Sequence, residues 1–171
     1  MSKKRFSLFI YLSIAGVSLL GVTSVWGGGN GPHANKVVGT YLLTVTATGQ
    51  PSFQELLTLH QGGTVSETNT TLHPNSTNEF FPFNASEGYG AWESGPNNTV
   101  VIKIVKIVFD GNTNEHFGYL VAEATALIEG DEFTNLESDV NILIGPDLAA
   151  PFDIIPLGPT DAVGTRITVP E

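Results

Sequence analysis

The chain contains no cysteine in 171 residues. No disulfide can form and no cysteine can be acylated, so packing and hydrogen bonds alone must hold the fold. Basic residues are nearly as scarce. Lys3, Lys4 and Arg5 stand at the start, leaving Lys36, Lys103, Lys106 and Arg166 against seventeen acidic residues, a net charge of −13 for the rest of the chain. Nucleic acid and anionic membrane surfaces both require clustered Lys or Arg, so neither partner is expected. The acidic excess favours solubility. His33, His60, His73 and His116 lack the close spacing that puts two imidazoles on one metal. There is no Gly-x-Ser-x-Gly elbow, and no window carries a sustained helical period capped at both ends. Little helix, no metal and no cofactor are the expectations.

What is present begins with an address. The basic start is followed from Phe6 to Leu20 by the uncharged, mostly apolar run FSLFIYLSIAGVSLL, and small residues at Val22-Thr23-Ser24 and Val25-Trp26-Gly27 suit a signal peptidase. Residues 1–27 are read as a cleaved signal peptide, 28–36 as a flexible lead, and 37–171 as one domain. An uncleaved anchor is the alternative, because the apolar run is long enough to cross a thin bilayer. Cleavage would place the protein in the periplasm or outside the cell, with no membrane contact afterwards.

Stretches rich in Val, Ile, Thr, Leu and Tyr then recur at 37–46, 53–60, 64–68, 89–93, 99–109, 117–129, 132–144 and 162–169. Turn signals such as Gly95-Pro96-Asn97-Asn98, Asp110-Gly111 and Gly130-Asp131 separate them. About eight strands with mostly tight turns make an antiparallel meander, and closure removes its two exposed edges. The expected fold is an all-β, up-and-down barrel of about eight strands. Within 117–129, Leu120, Ala122, Ala124, Ala126 and Ile128 share one face. Alanines pointing inward leave room for a small ligand. A flattened sandwich is the other arrangement in which alanines let sheets approach closely.

Val38-Gly39-Thr40-Tyr41 resembles the Gly-x-Trp opening of lipocalin and calycin barrels, with Tyr41 in place of Trp, and Gly164-Thr165-Arg166 resembles the arginine that packs over that aromatic. Leu57-Thr58-Leu59-His60, Gly63-Thr64-Val65 and Gly90-Ala91-Trp92-Glu93 are similar to secreted bacterial barrels grouped with lipocalin-like and allene-oxide-cyclase-like folds. The resemblance implies a barrel that binds a ligand, with Tyr41 and Arg166 stacked to close one end.

Candidate chemistry is sparse. Glu55 and Glu123 lie within strands, where an inward carboxyl would have a raised pKa and could act as a general acid or base; a strand glutamate more often faces water. Asp110-Gly111-Asn112-Thr113-Asn114-Glu115 alternates oxygen side chains as calcium loops do, but its glycine is misplaced and a hairpin turn explains the same residues. The long connection 70–88 carries Phe80, Phe81 and Phe83 around Pro82, a lid over the barrel mouth or a plug within it. Asn69, Asn75, Asn84 and Asn97 open glycan-acceptor triplets, meaningful only in a host that glycosylates exported chains. Three functions follow: a carrier holding a small apolar molecule against Leu120, Ala122, Ala124 and Ala126; an isomerase or cyclase in the same cavity; or a structural surface protein with a filled barrel.

Overall fold

The computed structural model describes residues 34–70 and 83–168. A single helical turn, α1 (Ala34–Val37), precedes β1 (Gly39–Ala47), β2 (Phe53–Leu59), β3 (Thr64–Asn69), β4 (Phe83–Ala85), β5 (Gly88–Ser94), β6 (Thr99–Asp110), β7 (His116–Glu129), β8 (Glu132–Ile144), β9 (Asp153–Gly158) and β10 (Thr160–Arg166). All paired strands are antiparallel, and the order β1-β2-β3-β5-β6-β7-β8-β10 returns to β1, closing an eight-stranded barrel. β4 adds to β6 and β9 to β8 outside that ring. The all-β fold with almost no helix is the one that strand composition and turn residues predict.

Each of the eight expected strands has its counterpart within a few residues. The two extra strands fall inside segments read as connections. β4 has only three residues, and β9 carries Pro156, which suits an edge strand because proline cannot donate to a ladder. The turns behave as their residues require. Asn97 and Asn98 both adopt left-handed φ, 55° and 61°, at the centre of the turn that the Thr99 N–H closes on the Pro96 carbonyl between β5 and β6, the twist that antiparallel neighbours need. Gly90 marks a close backbone approach: a Cβ there would lie 1.8 Å from the Lys103 carbonyl oxygen across the ladder. No side chain fits, so β5 can bend tightly onto β6.

Alternation fills the interior. Tyr41, Leu43 and Val45 of β1, Leu57 and Leu59 of β2, and Val100, Ile102 and Ile104 of β6 are buried with Trp92 and Phe133 in one apolar cluster. Phe83, Val108, Leu120, Val140 and Ile142 form a second. Burying each such side chain contributes about 1.5–3 kcal/mol.

One end of the barrel is shut. The Arg166 guanidinium lies 5.3 Å from the centroid of the Tyr41 ring, and its Nη2 donates to the Tyr41 hydroxyl at 2.9 Å. Its Nη1 donates to the Val38 carbonyl at 3.0 Å, and its Nε stands 3.3 Å from Asp131. Tyr41 in turn donates to the Val37 carbonyl at 2.8 Å, tying α1 beneath the barrel floor. Burial raises the Tyr41 pKa, with Arg166 opposing the shift, so the phenol stays a donor. A seam closes the ring where β8 changes partner from β9 to β10. The register of β7 against β8 skips a residue there, and Asn135 Nδ2 and Ser138 Oγ donate to the Thr160 carbonyl at 2.6 and 2.8 Å. Side chains thereby substitute for missing ladder bonds.

Candidate functional site: a lumen with a buried carboxyl pair

Above that floor the barrel is not solid. A cavity of about 190 Å³ is lined mainly by apolar side chains, among them Leu43, Leu57, Ile104, Leu120, Ala122 and Ala124. The two alanines create the space, because the neighbouring inward positions of β6 carry isoleucine. Ala126, expected on the same wall, is fully buried lower in the packed half and does not border the cavity. Phe83 is buried in the second apolar cluster, while Phe80 and Phe81 lie outside the described residues.

The polar feature of the lumen is a cluster from three strands. Glu55 faces inward between Phe53 and Leu57 on β2, and Glu67 faces inward on β3, diagonally across the ladder in which Glu55 pairs with Asn69 and Leu57 with Glu67. Lys106 of β6 forms an ion pair with Glu67. Both are about 4% exposed, an unusual depth for either residue type. Gly88 makes the pair possible. It stands opposite Glu67 in the β3–β5 ladder, and a Cβ there would sit 2.6 Å from Glu67 Oε2 and 3.2 Å from Lys106 Cε. The missing side chain of β5 is the passage through which Lys106 reaches Glu67.

Two carboxyl groups thus compete for one ammonium. Burial, first, and the Glu67 charge, second, raise the Glu55 pKa from 4.5 to about 8, with Lys106 opposing. Part of the Glu55 surface remains accessible, but it borders the lumen. At neutral pH Glu55 is therefore mainly a carboxylic acid, hydrogen-bonded to Glu67. A proton-carrying group in a mostly apolar cavity can hydrogen-bond a ligand or transfer a proton to it.

Glu123 is placed elsewhere. Its side chain is 57% exposed on the outer face of β7, where it pairs with Lys103, a surface contact of little energetic weight. Asp110 accepts hydrogen bonds from the backbone N–H groups of Asn112 and Thr113 at 2.9 and 2.8 Å, which lower its pKa and account for that loop as a turn. His60 bonds Ser66 at 2.9 Å and His116 packs edge-on to Tyr119. Among the described residues no cluster of three or more His, Asp or Glu could hold a metal ion.

Glu67 and Lys106 are the site residues that sequence reasoning missed, and the sequence carries only a partial signal for Lys106. Lys103 and Lys106 lie three apart in one strand, so they must point to opposite faces. Lys106 shares its face with Val100, Ile102, Ile104 and Val108, but the face of Lys103, with Val101, Val105, Ile107 and Phe109, is as apolar, so parity separates the two lysines without saying which points inward.

No protein-family model matches the chain, and neither the curated proteins nor the solved structures yield a match. Any function must be read from the lumen itself.

Proposed function

We propose that this barrel is an exported binding protein that carries a small, largely apolar molecule in its lumen. The cavity beside Ala122 and Ala124 is the observation that carries the proposal. An apolar cavity of about 150 Å³ accepts benzene, so about 190 Å³ suits a body of roughly ten non-hydrogen atoms. The basic and apolar start of the chain supports export. The Tyr41–Arg166 contact is in keeping with the lipocalin-like resemblance, and binding is the habit of such barrels.

The test is a fluorescence titration with an environment-sensitive apolar dye, paired with Ala124→Phe. The parent should bind dye saturably, and the variant should lose affinity while keeping most of its thermal stability, because a cavity accepts volume that a packed core resists. Absence of dye binding by the parent, together with a cost of about 1–3 kcal/mol for the variant, would mark an overpacked solid core.

A second reading, an isomerase or cyclase of the allene-oxide-cyclase-like kind, is favoured by one observation. Glu55 holds a proton near neutral pH inside a mostly apolar cavity, a condition under which a general acid or base is useful. Turnover of an apolar substrate abolished by Glu55→Gln would select this reading over simple carriage.

A further inference from the structure

We propose that the molecule held in the lumen is a small organic amine, bound as its ammonium ion between Glu55 and Glu67. This rests on the reading of the barrel as a binding protein and names the chemical class of its ligand.

Charge stoichiometry is the first observation. The cluster has two carboxyl groups and one ammonium, and that ammonium, Lys106, is committed to Glu67. No further basic side chain among the described residues borders the cavity; its other titratable neighbour, Glu123, points outward to Lys103. The cavity-lining positions of β1, β8 and β10 carry apolar, amide or hydroxyl side chains. One positive charge is lacking if both acids are to ionise.

The second observation is independent of charge. Two side chains lining the cavity have buried amide oxygens that receive no hydrogen bond from an N–H or hydroxyl of the described residues: Asn135 Oδ1 and Gln50 Oε1. The Asn135 assignment is fixed, because its Nδ2 donates to the Thr160 carbonyl at 2.6 Å. Both are acceptors, so the lumen is short of donors. A primary ammonium brings three donors and no acceptor. A ketone or ester brings only acceptors, and a carboxylate would also face two acids in a strongly acidic protein.

The protons balance. Without ligand, the proton on Glu55 stands in for the missing cation. An entering ammonium ion pairs with the ionised Glu55, and the Glu55 proton leaves to solvent, one per amine bound. Affinity should therefore weaken about tenfold for each pH unit below about 8, where Glu55 must be deprotonated for the amine to bind.

Isothermal titration of the protein with 2-phenylethylamine, 2-phenylethanol and phenylacetate tests this, since the three share one apolar body. At pH 7 the amine should bind about ten- to a hundredfold more tightly than the alcohol, the range of a charged hydrogen bond. Two buffers of different ionisation enthalpy should report about one proton released per amine bound. Glu55→Gln should erase the preference of amine over alcohol while unfolding as cooperatively as the parent. Equal or tighter binding of the alcohol overturns the amine proposal and leaves the lumen a binding site. A preference for amine that survives Glu55→Gln also overturns it. Failure of all three probes removes the binding function and this proposal together.

Discussion

Replacing Glu55 by glutamine should make the protein more stable at alkaline pH and little changed in acid. Glu55 is raised from 4.5 to about 8 in the folded state, so between those values the unfolded chain has lost a proton that the folded chain keeps. Fewer protons bound in the unfolded state means that stability falls as pH rises, by about 1.4 kcal/mol per pH unit for one group. The loss is absent below about pH 4.5, grows through neutrality and is complete above about pH 8. Its ceiling is on the order of 5 kcal/mol, comparable with the whole stability of a modest domain. Glutamine has the same shape, cannot ionise and can donate from Nε2 to Glu67. Urea denaturation of parent and variant at pH 5, 7 and 9 measures the difference, and titrations common to both proteins cancel. The two should agree within about 1 kcal/mol at pH 5, as for a conservative exchange of one hydrogen-bonding group, and the variant should lead by several at pH 9. Parallel curves at all three values would mean that Glu55 is an ordinary solvated carboxylate and that the carboxyl pair does not exist.

Lys106→Met should destabilise by about 3–5 kcal/mol, because it leaves the Glu67 charge buried without its partner. Adding Glu67→Gln should recover much of that loss, measurable as the coupling energy of a double-mutant cycle. Gly88→Ala should lower stability by about 1–3 kcal/mol through overpacking against Glu67 and Ile104, and the loss should be smaller in a Lys106→Met, Glu67→Gln background. Arg166→Lys should not preserve the closed end, since a single ammonium cannot serve Tyr41, Val38 and Asp131 together; a melting temperature equal to the parent's would contradict that.

The barrel was legible because strand and turn residues agree with each other. Val-Ile-Thr runs alternate, Asn-Asn and Gly-Asp punctuate them, and the small inward face of β7 announces space inside. β9 was hidden by Pro156, and β4 by its length of three residues. Much of the site was hidden for a different reason. Strand parity puts Glu55 on the face of Phe53 and Leu57 and Lys106 on that of Ile104 and Val108, but in β3 only Val65 marks the inward face of Glu67, because Ser66 and Thr68 are as polar as Glu67 and Asn69. Which carboxyl meets which ammonium is set by ring closure and by the gap at Gly88, both properties of pairing between distant segments. Glu123 illustrates the converse. Read alone, a glutamate in an alanine-rich strand is a candidate base, yet it falls on the odd-numbered face, opposite Lys103, where it meets water.

A crystal of the protein pressurised with xenon tests the open lumen most directly, since apolar cavities of this size take up the gas. The expected result is a xenon atom inside the barrel against Ala122, Ala124 and Leu57, near the Glu55 carboxyl. A lumen without xenon and filled by side chains, whether of the wall or of Phe80 and Phe81 folded inward, would contradict it and leave a solid structural barrel.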